Sequence, residues 1–437
     1  MIDRLVAAIR RRADGGDALW RQTEHTTVAF ESGRLKACGI TEETGINLRV
    51  VRGGRVGVAG TTTADLDDLV ARALASAELG EAVDLAFPAA AALPEVAIHA
   101  AGAAAASLDR LTAIGAELVA RLTRAGCQIN VSIEREITAT RVVGTGGADA
   151  KYQATGVAVN VDLARFAGDD VLFLSDQYQG TDLPAARDLD ALVRTIDERY
   201  ERALTVVEPP EGALPVVFTP QGLSAILLPL RQALSGKVVL QGISPLGARI
   251  GEAVFDPAFS LTDDPLLAHR PASRPIDDEG TPSHRLALVE RGTVRAFIYD
   301  LETAARAGKQ STGHGTRGTF GKPVVEYSNM VVGTRSSETS TSDLGGGLAA
   351  GVADGLVIDE LIGVGQGNVI GGAFSHPVAL AYRIERGEIT GRVKDAAVAG
   401  NVYELLKRIA GFGTDGRWQG TRWSPSLLLE GVSVARR

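Results

Sequence analysis

Val157-Ala158-Val159-Asn160-Val161 places a branched apolar residue at every second position, inside a longer stretch from Tyr152 to Gln179. A period of two marks a strand with one buried face. A second such stretch, Ile129 to Gly144, lies just upstream with no helical pattern between them. The two therefore read as antiparallel strands rather than as arms of a βαβ unit. Further upstream, Thr27 to Gly39 alternates around Ser32-Gly33 and Asn47 to Thr61 around Gly53-Gly54, which predicts two hairpins. Helical spacing surrounds these strands. Met1 to Ala13 puts Ile2, Leu5, Val6 and Ile9 on one face. A second helix is expected from an N-cap at Thr63 to Gly80, with Asp65 and Asp67 in its first turn and a stripe of Leu66, Leu69, Val70, Ala73 and Leu74. Others are expected over Ser107 to Gly126 and about Leu183 to Ala203. The implied class is α+β, with an N-terminal domain over 1–206 of antiparallel strands and flanking helices.

Glu208-Pro209-Pro210-Glu211-Gly212 marks the best connector, and residues 207–215 are assigned as a linker. The remainder, 216–437, reads as a second domain, mostly antiparallel β with few helices. It opens with a strand from Pro215 to Thr219 and a helix over about Gln221 to Ser235. Two hairpins follow, Leu286 to Tyr299 turning at Glu290-Arg291-Gly292 and Val378 to Val393 turning at Glu385-Arg386-Gly387. A last helix is expected over Asn401 to Ile409.

The chain has 437 residues, 45% of them apolar and 22% charged, enough for a large core without cross-links. Its net charge of −8 and lack of a long basic run argue against nucleic acid as a partner. Arg10-Arg11-Arg12 reads as a solvated helix face. Cys38 and Cys127 form no C-x-x-C pair, which fits a reducing compartment. No signal-peptide pattern is visible, and no apolar run approaches the ~18 residues a membrane span needs. The Ala-rich stretch Val83 to Ala106 carries two prolines, Glu95 and His99, and reads as a connector. No membrane association and a cytoplasmic location are expected.

Gly313-His314-Gly315-Thr316-Arg317-Gly318 matches G-x-G-x-x-G by letter. That motif works only between a strand and a helix N-terminus. Here the upstream Thr303 to Gly308 is helical in pattern, and Thr319 to Pro323 cannot begin a helix smoothly. A flexible glycine loop is the simpler reading, with His314 and Arg317 as alternative cleft contacts. Gly242 to Gly247 is no nucleophile elbow, because Ser244 is followed by Pro245. Asp277-Asp278-Glu279 reads as a solvated loop; cation binding or backbone capping stay open. The six histidines are His25, His99, His269, His284, His314 and His376, and no two are closer than fifteen residues. A helix-borne zinc site needs two imidazoles about one turn apart, so this chain has none. A metal site built from distant residues stays open.

Several segments in order carry a family resemblance: Ile243-Ser244-Pro245-Leu246-Gly247, Ile250-Gly251-Glu252, Ile276 to Pro282, and Ala304 to Gly318 with Ser311-Thr312-Gly313-His314-Gly315. Gly371-Gly372-Ala373-Phe374-Ser375, Ile384 to Gly387 and Ala399-Gly400-Asn401 continue it, and Gly45 to Gly60 with the following helix extends it into the first half. Together they resemble the TldD/PmbA family, named for modulators of DNA gyrase. The resemblance implies two kinds of subunit. TldD-type chains carry H-E-x-x-x-H on the first helix of the C-terminal domain and a late cysteine, and hold zinc. PmbA/TldE-type chains lack both and complete a peptidase that cuts unfolded peptides. By approximate alignment, the zinc-motif positions fall here at Leu227, Leu228 and Gln232. Leucine cannot ligate zinc or activate water, and no cysteine follows Cys127.

The resemblance thus implies a PmbA/TldE-like non-catalytic subunit, with no catalytic residue, metal or cofactor of its own. Zinc is expected in a TldD-type partner, in a heterodimer or higher assembly acting on unfolded peptide. Asp278, Glu279, His314 and Arg317 are the candidate cleft or peptide contacts. The alternative is a stand-alone homodimeric adaptor that binds peptide or protein without peptidase activity. A third reading is an autonomous hydrolase around His314, Asp278 and Glu279.

Overall fold

The computed structural model describes residues 2–333 and 343–437, so Met1 of the first expected helix lies outside the described residues. Helix α1 (Ile2–Arg12) buries Ile2, Leu5 and Ile9 and leaves Arg10, Arg11 and Arg12 exposed. Strands β1 (Gly15–Glu31), β2 (Arg34–Arg52) and β3 (Arg55–Thr61) follow. Helices α2 (Leu66–Glu78), α3 (Ala101–Ala104) and α4 (Leu108–Leu122) lead to β4 (Cys127–Gly144), β5 (Asp149–Ala167), β6 (Asp170–Gly180) and α5 (Ala186–Ala203). The strands form one antiparallel six-stranded sheet in the order β3-β2-β1-β4-β5-β6.

Several boundaries differ from the sequence reading. Tyr152 to Gln179 falls in two strands that turn at Gly168, whose φ is +63°. The first hairpin runs from Gly15 to Arg52, far beyond Thr27 and Gly39. The polar side of its extension faces buried charges rather than water, so its alternation is broken by Asp17, Asn47 and Arg49. Helix α2 is capped by Asp65, which accepts from Asp68 N at 3.0 Å, while Thr63 is bonded to Thr61. Asp65 sits directly before the helix, where a side-chain oxygen reaches the free N–H groups.

The C-terminal half contains β7 (Val206–Val207), β8 (Gly212–Phe218), α6 (Ser224–Ala233), α7 (Gly236–Leu240), β9 (Leu261–Asp263), β10 (Leu286–Glu290) and β11 (Thr293–Val294). Then come α8 (Leu301–Ala307), β12 (Gly315–Thr316), β13 (Val324–Val325), β14 (Met330–Val332), β15 (Asp354–Leu361), β16 (Ala373–Glu385) and β17 (Glu388–Val393). The chain ends with β18 (Ala396–Asn401), α9 (Val402–Leu405), β19 (Ile409–Phe412), β20 (Arg417–Gln419), β21 (Arg422–Ser424) and β22 (Leu427–Arg436). Pairing is mostly antiparallel, with parallel exceptions at β15–β8, β17–β7 and β14–β21. β16 exchanges partners along its length. Its first half, to Pro377, pairs with β18, and Val378 to Glu385 pairs with β15. The pairings β15-β8-β22-β18-β16 thereby return to β15 and close a ring. The hairpin turns at Arg291-Gly292 and Arg386-Gly387 have positive φ at both residues, as do Ser32-Gly33 and Gly53-Gly54. That geometry matches the right-handed twist of the arms.

Residues 207–215 are not a free tether. Val207 pairs with Val393, and Gly212 onward is β8, bonded on both sides. Pro209-Pro210 only separates two strands of one sheet. Asn401 caps a helix that ends at Leu405, because Ile409 already belongs to β19.

Alternation along β8 and β15 sends side chains to two cores. Val216, Phe218, Leu356 and Ile358 pack with Leu223, Ile226, Leu227 and Leu230 around α6. Val217 and Val357 face the other way, into a core shared with Leu189, Leu192 and Ile196 of α5 and with Val157, Val159 and Val161. The two halves are therefore joined by one continuous apolar core.

Candidate functional site

The sheet face away from α1 and α2 carries charge. Asp17 and Arg49 are register partners on β1 and β2, so their side chains stand side by side. The Arg49 guanidinium clamps the Asp17 carboxylate through Nε and Nη2, and Nη1 donates to Glu279 Oε1 at 2.5 Å. Arg317 Nη1 donates to Asp17 Oδ1 at 2.8 Å. Arg21, also on β1, donates to Asp278 Oδ1 at 2.7 Å and to the carbonyl of Arg317 at 3.2 Å. Asp278 Oδ2 in turn accepts from Arg317 N at 2.9 Å. Asp277 organises its own loop, accepting from Glu279 N, Thr281 N and Gly315 N.

The acidic run is therefore not a solvated loop: Asp277, Asp278 and Glu279 are 0%, 1% and 1% exposed. Local sequence shows three carboxylates and none of the arginines that neutralise them from distant strands. The glycine loop is not free either. His314 is buried, with Nε2 3.0 Å from Asp263 Oδ2 and Nδ1 2.8 Å from the Thr312 carbonyl. Gly45 and Gly60 seat Thr319, which approaches so closely that a Cβ on Gly60 would lie 2.0 Å from its carbonyl oxygen.

Burial raises Glu279, Arg49 opposes this, and Asp277 and Asp300 reinforce it; the carboxyl is pushed up to about 8. Burial also raises Asp277, against Arg274 and three backbone N–H groups. Burial would lower Arg21, but Asp278, Tyr152 and Glu136 together outweigh it and raise the guanidinium.

Beside this cluster lies a polar cleft of about 570 Å³, lined by Arg21, Glu136, Tyr152, Arg274, Asp278 and Glu326 among others. Of the four residues singled out from sequence, Asp278 reaches the cleft wall. Glu279 and Arg317 sit behind it in the buried network, and His314 is buried on Asp263 and Thr312. Sequence reasoning missed Asp17, Arg21 and Arg49. Their one signal was charge placed inside an otherwise apolar strand pattern.

Helix α6 holds the positions aligned with the family's zinc motif. Leu227 is fully buried, whereas Leu228 and Gln232 are half-buried. Zinc takes sulfur, imidazole nitrogen or carboxylate oxygen. Two leucines and a glutamine do not supply that donor set. Among the described residues, no group of three or more His, Cys, Asp or Glu side chains is arranged to hold a metal.

Family models match most of the C-terminal half, residues 211–436, as the PmbA/TldA metallopeptidase C-terminal domain, and residues 16–77 as PmbA/TldA metallopeptidase domain 1. The chain belongs to the PmbA/TldD metallopeptidase family. A metalloprotease of Methanothermobacter thermautotrophicus is 28% identical over 270 residues, 60% of this chain and 57% of the relative. The metalloprotease TldD homolog of Haemophilus influenzae is 30% identical over 210 residues, 47% of this chain and 42% of its own. The chain thus spans about half the length of the curated relatives it matches. TldE from Thermococcus kodakarensis has a similar fold, with a TM-score of 0.89 at 21% identity over 99% of both chains. A Thermotoga maritima protein described as a suspected modulator of a DNA gyrase gives 0.88 at 22% identity over 99% of both.

Proposed function

We propose that this chain is the PmbA/TldE-type, non-catalytic subunit of a two-chain zinc metallopeptidase acting on unfolded peptides in the cytoplasm. A TldD-type partner supplies the metal and the water-activating carboxylate. The observation that carries this reading is α6, where leucines stand at the motif positions and one of them, Leu227, belongs to the apolar core. Replacing a metal ligand by a fully packed core residue removes both the donor and the space for an ion. Family membership and the likeness to TldE support the same reading. In it, the chain's own work is to bind the partner and to shape the peptide path, with the cleft at Arg21, Glu136 and Asp278 as the polar wall.

The test is to mix this chain with a TldD-type chain and follow cleavage of an unfolded peptide with and without a zinc chelator. A stable complex and chelator-sensitive cleavage above that of the partner alone are expected. No complex, and cleavage equal to that of the partner alone, would overturn the reading.

A further inference from the structure

Strand β2 leaves a long edge open. β3 pairs only with its residues 46–52, and among the described residues no strand pairs with residues 34–44 on the side away from β1. All of these but Gly39 are exposed, including Leu35 at 50% and Ile40 at 54%. An exposed edge of this length, with its N–H and C=O groups turned outward, is a template for another strand. Charge of a single sign along it would repel a second copy. Here the hairpin end carries Arg34 and Lys36, and the other end carries Glu42 and Glu43. The register with β1 fixes which side chains share a face. Ala29 stands opposite Ala37 and Phe30 opposite Leu35, so Lys36 bulges out of the pairing, 3.7 Å from Glu31 of its own hairpin. Glu31, Thr27 and Thr23 share one face of β1, so their partners Arg34, Gly39 and Glu43 share it too. The same face carries Arg21 and His25, which line the polar cleft.

We propose that a second copy of this chain pairs antiparallel with residues 34–44, about a twofold axis through Gly39 and perpendicular to the sheet. Such an axis keeps each face on its own side. With Lys36 bulged, Arg34 of each copy then falls opposite Glu43 of the other, on the cleft face. On the other face Cys38 falls opposite Ile40, so exposed apolar groups cover one another. The axis itself is clear, because a Cβ on Gly39 would meet nothing within 4 Å. Parallel pairing would set Arg34 on Arg34 and Glu43 on Glu43, so the charges select the antiparallel, closed arrangement. The product is one continuous sheet that carries two polar clefts on the same side. The inference goes beyond the two-chain peptidase reading and does not rest on it.

The test uses the full chain alone, without a TldD-type chain or zinc, so a failure of the two-chain reading does not affect it. Sedimentation at micromolar concentration should find a species of twice the 45.6 kDa of one chain. Arg34→Glu turns two unlike pairs into like pairs and should weaken self-association about tenfold. Adding Glu43→Arg to the same chain reverses both charges and should restore it. Both side chains are exposed, so melting temperature, measured alongside, should not move. A monomer throughout, a dimer indifferent to Arg34→Glu, or a double variant no tighter than the single one would each overturn the proposal.

Discussion

Arg49 of β2 and Glu279 of the C-terminal half, 230 residues apart, meet at 2.5 Å through a guanidinium–carboxyl hydrogen bond, with both side chains at most 1% exposed. The pair is the centre of the seam between the two halves. Arg49 also holds Asp17, so Arg49→Met takes a buried partner from both, leaving Asp17 to Arg317 and Glu279 to the Leu301 N–H. Breaking a buried pair from one side costs about 3–5 kcal/mol. Urea unfolding of the variant should show a loss in that range. A loss below about 1 kcal/mol would mean that the apolar core, not the charge seam, holds the halves together.

The same cluster gives the protein a pH signature. Glu279 has an ordinary value of 4.5 and is pushed up to about 8 in the fold, chiefly by burial. Between those values the folded protein binds a proton that the unfolded chain has released. This contribution to stability is complete below 4.5 and is lost as pH rises through 8. Asp277, also raised by burial, acts in the same direction. Melting temperature should therefore fall from pH 6 to pH 9, and Glu279→Gln should flatten the slope. A rising or level profile would contradict the assignment.

Gly60 is a close-approach position rather than a flexible one. A Cβ there would meet the Thr319 carbonyl oxygen at 2.0 Å and its carbon at 2.9 Å. Asn47 Nδ2 also donates to that carbonyl, at 3.2 Å, and to the carbonyl of Gly321 at 3.0 Å. Gly60→Ala should push residues 318–321 off the sheet, costing roughly 1–3 kcal/mol. Hydrogen exchange of that segment should accelerate while the strands keep their protection. Unchanged exchange at 318–321 would show that the loop can give way.

The fold was legible where one face of an element meets apolar neighbours. The stripe of α2, the alternation of β5 and the turn pairs at Gly33 and Gly54 all follow from local chemistry. Asp277 to Glu279 illustrates the opposite case. An acidic run beside water and one beside distant arginines have the same local sequence, and only the sheet brings Arg21 and Arg49 to it. The mixed parallel pairing of β8 with β15 was equally hidden, because its partners are set by chain crossings rather than by any turn.

His314 gives the sharpest separation of a structural from a chemical role. Both of its ring nitrogens are engaged, one with Asp263 and one with Thr312, and the ring is 1% exposed. Asp263 holds Ser328 as well, through its backbone N–H and its hydroxyl. A group enclosed in this way cannot meet a peptide without opening the loop. His314→Ala should leave Asp263 short of one partner and cost about 1–3 kcal/mol. In the proposed assembly with a TldD-type chain, cleavage per folded complex should stay near that of the unmodified protein. Melting temperature and cleavage rate measured on the same preparation decide the matter. Lost cleavage at an unchanged melting temperature would give His314 a part in the chemistry and revive the autonomous-hydrolase reading.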